Sequence, residues 1–206
     1  LLELQNKFPE ISMRLMNIST AAGVSIIENS PSKPLATVCW WHVVTDSSIL
    51  SPSEIGWRVT PSLGSPIDRK ALIKGLLNRT LTAIAVHSIP LDDAETKQPP
   101  FTQLAGLSGY QLVLPLLWQE LIVKERWSIE HLWEVLSFGP SKILGLSEES
   151  LKIGSSRWLI FDPNKRWLQT IQRQKIPCAA NQPFEGKEIC GKVTDCGLHS
   201  KDSQFY

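Results

Sequence analysis

Apolar and polar positions along the chain follow two alternating spacings. Residues 11–16, ISMRLM, form a short, mostly apolar run leading into NIST; AAGVSII then carries apolar residues at helical spacing, with Ser19 or Thr20 placed to cap it. This predicts one βα unit. LATVCWW at 35–41 predicts a second strand, followed by a long loop with Pro52, Gly56, Pro61 and Gly64. Ser65 is then a plausible N-cap and Pro66 takes the first helical position ahead of DRKALIKGLL, where Ala71, Leu72 and Leu76 share a face. LTAIAVH at 81–87 predicts a third strand, apolar throughout as expected of a parallel strand covered on both sides.

After a polar loop at 92–105, AGLSGYQLVLPLLWQELI predicts a largely apolar helix in which Pro115 marks a first turn or a kink. Ser128 is placed to cap SIEHLWEVLSF, with Leu132, Val135 and Leu136 on the buried stripe and Gly139–Pro140 ending it; SKILGL predicts a last short helix. From Ser156 the texture changes. RWLIFDP alternates like a strand, EICGKV is a second candidate, and the tail is punctuated by Pro, Gly and Cys. A boundary near residue 150 divides an α/β unit, 1–150, from a β-rich appendage, 151–206. Alternating βα units imply a parallel sheet, doubly wound or closed into a barrel, and pattern alone does not choose.

Composition narrows the function classes. The chain has 206 residues, 42% hydrophobic and 20% charged, enough for one substantial core. Its 21 basic and 20 acidic residues, net +1 and without a block of like charge, give no footprint for nucleic acid or anionic lipid. No apolar run is long enough to span a bilayer and no signal-peptide pattern opens the chain, so the compartment reads as cytoplasmic. Cys39, Cys178, Cys190 and Cys196 form no C-x-x-C pair and read as reduced thiols. The sequons at Asn17 and Asn78 have no secretory context. LLELQNKF at the start reads as the end of a helix whose beginning lies outside the chain, and so as a fragment.

Several segments, in order and over almost the whole chain, resemble the C-terminal half of a dihydroorotase of the cyclic amidohydrolase family, cyanobacterial type. They are RLMNISTAAGV, VCWWHVV, WRVTPSLGSPIDRKALIKGL, LTAIAVHSIPL, LAGLSGYQLVLPLLWQELI, SIEHLWEVLSFGPSKILGL, WLIFDP and ANQPFEGKEICGKV. The resemblance implies a partial (β/α)8 barrel, strands six, seven and eight, with part of a small β domain. The first five strands, and with them the family's H-x-H pair, would lie elsewhere. Open strand edges favour association. The implied partners are therefore a complementary half-barrel or a homo-oligomer, and aspartate transcarbamoylase, with which some relatives associate.

The resemblance also implies a chemistry that can be checked by position. Such enzymes hold a zinc-activated hydroxide against a cyclic amide, with a strand-eight carboxylate ligating metal and moving the proton. In the family's T-D-H-A-P-H, Val86 stands for Thr, His87 for the Asp, Ser88 for His and Leu91 for the last His; Pro90 alone is kept. The strand-six metal-binding His of C-H-V-S-T is Asn17, a weak neutral ligand. The substrate-side Asn of N-P-P-L is Thr60, whereas Gly106 and Gly109 of G-L-S-G match a substrate-lining turn. No metal site is expected from these residues, and no cofactor.

Singly, the remaining candidates have simpler readings. His87 is expected to be hydrogen-bonded to a neighbouring loop ahead of acting as base or ligand, and His42 to pack at the barrel mouth. His131 and His199 read as solvated; Asp92, Asp93 and Glu95 as a solvated turn; Ser88 lacks an acidic partner. The eight tryptophans read as packing residues. Two functions follow. One is a catalytically inactive dihydroorotase-like protein retained as an assembly or regulatory partner. The other is a dihydroorotase whose missing half supplies ligands.

Overall fold

A computed structural model of the chain describes residues 1–49, 57–99, 101–147, 150, 152–171 and 179–197. Cys178, His199 and the loop positions Pro52 and Gly56 lie outside the described residues. Helix α1 (Leu2–Lys7) precedes β1 (Arg14–Leu15), α2 (Ala21–Glu28), β2 (Leu35–Cys39), α3 (Trp40–Val44), α4 (Pro66–Leu77), β3 (Ala83–Ala85) and α5 (Asp93–Thr96). Then come α6 (Tyr110–Leu117), α7 (Ile129–Trp133), α8 (Gly139–Leu144), β4 (Leu159–Leu168) and β5 (Glu188–Cys196).

The first three strands form a parallel sheet in the order β1-β2-β3, with Arg14 opposite Leu35 and Cys39 opposite Ala85. Parallel neighbours need a crossover, and α2 and α4 supply the two. Local chemistry sets where these helices begin. The Thr20 side chain accepts from the Gly23 N–H at the start of α2, and Ser65 and Asp68 form a reciprocal capping box at α4, with Pro66 where its missing N–H costs nothing.

Asp68 also fastens the two crossovers together. Its second carboxylate oxygen accepts the Ala21 N–H at 2.8 Å. The Ala21 N–H first, then the Ser65 hydroxyl and N–H, hold the Asp68 carboxyl below the usual carboxylate range. A carboxyl that ionises more readily folded than unfolded stabilises the fold above its unfolded value, near pH 3.8, and loses that contribution as pH falls through the lower folded value. The Asp68→Asn variant is expected to be less stable by about 1 kcal/mol at neutral pH and to show a shallower acid limb than the parent in urea melts between pH 2 and 6. Parallel curves would show that the cap adds nothing.

Three segments depart from the sequence expectation. LATVCWW does not remain a strand: β2 stops at Cys39 and Trp40–Val44 turns into α3, all five of whose residues are buried. A helix buried all round carries no amphipathic period. The predicted 105–122 helix starts only at Tyr110, and Pro115 lies inside it; a wider, π-type run, Trp118–Lys124, follows. Proline cannot donate to the i−4 carbonyl, which loosens the ladder at that point. Gly139–Pro140 does not end the third helical segment either. A π-type run, Glu134–Phe138, passes straight into α8. Gly139 is there for contact: a Cβ would sit 2.2 Å from the Thr82 carbonyl oxygen, so only glycine lets this helix lie against the entry to β3.

Both candidate strands of the tail form, as β4 and β5, and they pair antiparallel. β5 leans on α6, Phe161 of β4 meets Trp118 at the start of the π-type run with ring centroids 5.2 Å apart, and Ile189 joins the same apolar cluster as Val38, Leu72, Leu112 and Leu132. Trp40, Trp41, Trp57 and Trp127 are buried in that core, so the packing reading of the tryptophans holds for them.

Candidate functional site

Three side chains mark the C-terminal ends of the three parallel strands: Asn17 two residues beyond β1, Cys39 closing β2, and His87 two residues beyond β3. In α/β barrels this end is where chemistry is placed. Asn17 and His87, separated by 70 residues, meet: His87 Nε2 lies 3.0 Å from Asn17 Oδ1. An amide oxygen only accepts, so Nε2 carries the proton and donates. The partner of His87 is thus the end of the far strand, not only an adjacent loop. Around the pair, the Asn17 N–H donates to Thr37 Oγ1 at 3.1 Å, the Trp40 indole N–H donates to the His87 carbonyl at 3.0 Å, and the Trp41 ring lies 6.1 Å from the imidazole. Asn17 adopts φ +58, a left-handed conformation that asparagine tolerates better than most residues.

Cys39 lies beneath this layer. Burial pushes its thiol up to about 12, against the smaller opposing effect of backbone hydrogen bonds from Trp41, His87 and Trp40. It therefore stays protonated. Zinc draws on thiolates, carboxylates and free imidazole lone pairs. These strand ends present instead a neutral amide, a neutral thiol and one imidazole with Nδ1 as its sole lone pair, too few donors of the right kind to hold the ion. Among the described residues no group of three His, Cys, Asp or Glu side chains is arranged to hold a metal.

The loops above the strand ends are laced together. Gly106 N–H donates to Arg58 O at 2.8 Å, Ile89 N–H to Leu107 O at 2.9 Å, and Ser88 Oγ to Ser108 Oγ at 3.2 Å. Gly106 is required by close approach, since a Cβ would meet the Ile89 carbonyl oxygen at 2.7 Å; Gly109, at φ +133, opens α6. Thr60 is exposed and makes no hydrogen bond to Asn17 or His87. Sequence reasoning missed Asn181, which is 2% exposed. Its Nδ2 donates to Ile89 O at 2.8 Å and its Oδ1 accepts from Leu91 N–H at 2.9 Å. An asparagine in a Pro- and Gly-rich tail gives no local sign of a partner 90 residues away.

Other candidates resolve into structural roles. His42 is buried, which pushes its imidazole below its usual range; Nε2–H donates to the Pro61 and Ser62 carbonyls at 3.1 and 3.3 Å. His131 is not simply solvated. It stands edge-on to Trp127 at 4.6 Å, with Nε2 3.3 Å from the Leu76 carbonyl oxygen, because its helix turns that face toward α4. The acidic turn has its own structure: Asp92 and Glu95 form the capping box of α5.

Among solved structures, the chain superposes on L-hydantoinase (dihydropyrimidinase) from Arthrobacter aurescens with a TM-score of 0.77 at 20% identity, covering 96% of this chain and 46% of that one. The two share a fold, this chain being one part of an α/β barrel. In sequence the chain is 33% identical over 193 residues to a probable dihydroorotase-like protein of Synechocystis, covering 88% of this chain and 42% of that protein. It is 30% identical over 186 residues to the dihydroorotase of Aquifex aeolicus, with 88% and 43% covered. No family model matches the chain. Over most of its length the chain is thus homologous to proteins named dihydroorotase and dihydroorotase-like protein, and it spans less than half the length of these relatives.

Proposed function

We propose that this polypeptide is a dihydroorotase-like protein that does not itself hydrolyse dihydroorotate and that serves an assembly or regulatory role in pyrimidine biosynthesis. In this reading β1, β2 and β3 are the sixth, seventh and eighth strands of the family barrel. The observation that carries it is the hydrogen bond between His87 and Asn17. A hydrolytic site needs a strand-end carboxylate able to ligate metal and pass a proton, and a free imidazole beside it; here the two positions hold an imidazole and an amide that engage each other. Thr60, Gly106 and Gly109 would line what remains of the substrate side.

The partner argument rests on edges. Among the described residues β1 and β3 each have one unpaired side, flanked by Met16 and Val86, 54% and 41% exposed. Strands with such edges pair when they can. The natural occupant is a complementary set of barrel strands, in a longer chain, a second polypeptide or another copy, with aspartate transcarbamoylase as a candidate assembly partner. Residues 1–150 form the barrel part and 151–206 the β appendage.

The test is a dihydroorotate hydrolysis assay with zinc analysis on the longest natural form of the protein. The expected result is no turnover above background and zinc well below one equivalent. Stoichiometric zinc with turnover would instead establish a working dihydroorotase whose ligands come from other strands.

A further inference from the structure

At the opposite end of the sheet, under the N-terminal ends of β2 and β3, lies a cavity of about 360 Å³. That volume is within the range of small-molecule sites. Its floor is apolar, built from Ile27, Leu76, Leu81 and Val135, all buried. Its rim carries Lys33, Arg79 and Lys142 against Glu28 and Glu134. Two of these charges are already engaged: Lys33 Nζ donates to the Glu28 carbonyl at 2.6 Å, where α2 ends, and the Glu28 carboxylate accepts from Asn78 Nδ2 at 3.2 Å. His131, also in the lining, stands against the Leu76 carbonyl near the end of α4. The negative ends of both helices thus have donors of their own.

Arg79 and Lys142 remain, two cations against the one further carboxylate of the lining, Glu134. Neither head group has a partner among the described residues, and they come from different elements, the α4–β3 turn and α8. Arg79 also occupies a backbone position that does not favour it. At φ +65, just past the C-cap Asn78, it sits where glycine is the usual choice. Arginine there strains the backbone but puts a cation at the mouth of an apolar cavity. Thr80 is also in the lining and offers a hydroxyl.

We infer that this cavity binds a small organic anion, a phosphate monoester or carboxylate on a partly apolar body, with Arg79 and Lys142 gripping the anionic head. The site lies at the other end of the strands from Asn17 and His87, so the inference stands apart from the proposed function. Isothermal titration of the full-length protein with phenyl phosphate, benzoate, inorganic phosphate and phenol tests it. Saturable binding of phenyl phosphate or benzoate is expected, with phosphate and phenol at least about tenfold weaker, since each lacks half of the recognition. Which of the two organic anions binds more tightly identifies the head group.

Arg79→Gly is the decisive variant. Glycine suits the left-handed position, so the melting temperature should hold or rise while affinity falls about tenfold or more; Lys142→Gln should weaken binding similarly. The inference is overturned if neither organic anion binds up to about 10 mM, if phenol binds as well as phenyl phosphate, or if both variants bind as the parent does.

Discussion

Replacing Arg69 with methionine is expected to destabilise the protein by about 3 kcal/mol, at the lower end of what removing one partner from a buried ion pair costs. Arg69 projects from α4 into a gap between α3 and the segment after α6. Its Nε donates to the Val43 carbonyl at 2.8 Å, its guanidinium pairs with Glu120, and Asp46 lies 4.0 Å away. The three side chains are 23%, 12% and 9% exposed, so water screens them little. Methionine would fill much of the volume but leave two carboxylates and a carbonyl without their cation. Lys124 also pairs with Glu120 and softens the loss there, whereas among the described residues Asp46 keeps the Ser48 N–H and hydroxyl. Urea melts of Arg69→Met and of Arg69→Met with Glu120→Gln check the assignment. The second change should restore part of the loss, because it removes a stranded charge. Additive losses would show that Arg69 acts by packing alone.

The parts of this architecture that were legible in the sequence are those written in neighbouring residues. Ser65, Pro66 and Asp68 announce the start of α4 within four positions, and Ser128 does the same for α7 by accepting from the His131 N–H. The continuous apolar stretch around Ala83–Ala85 marks a strand because both faces are covered. Strand β1 was harder: only Arg14 and Leu15 of the ISMRLM run pair, since the edge has one neighbour. The segment WWHVV misleads because its aromatic and β-branched residues favour strand, while burial of every side chain erases the helical period.

The candidate site divides the same way. Resemblance pointed to positions 17 and 87 as equivalent strand ends, but that they bond to each other depends on the sheet closing around β2, which no local pattern encodes. The tail contributes more polar packing of that kind. Gln169, 1% exposed, donates to Gln182 Oε1 at 2.9 Å, and Gln111 of α6 reaches the same oxygen at 2.7 Å. Glutamines at such separations look like surface residues until the fold brings them together.

Asn181 is where the tail bears on the site, and Asn181→Leu is expected to cost about 2–6 kcal/mol. The leucine is close to the same size, so little of the loss would come from a cavity. What it lacks is the ability to answer the Ile89 carbonyl and the Leu91 N–H, and each buried backbone group left unpaired costs roughly 1–3 kcal/mol. Two further links would remain, from Ala180 N–H to Leu91 O at 2.7 Å and from Ser108 N–H to Asn181 O at 3.4 Å, because they use backbone atoms only. The segment after β3 would therefore loosen rather than detach, and loosening should concentrate where the side chain acted. Residues 89–91 follow His87 after Ser88 alone, so their freedom is transmitted to the imidazole that faces Asn17. Hydrogen exchange in the variant should speed at Ile89 and Leu91 well before global unfolding, with amides in α4 protected as in the parent. Uniform acceleration across both regions would mean that Asn181 supports the whole fold and not the site loop in particular.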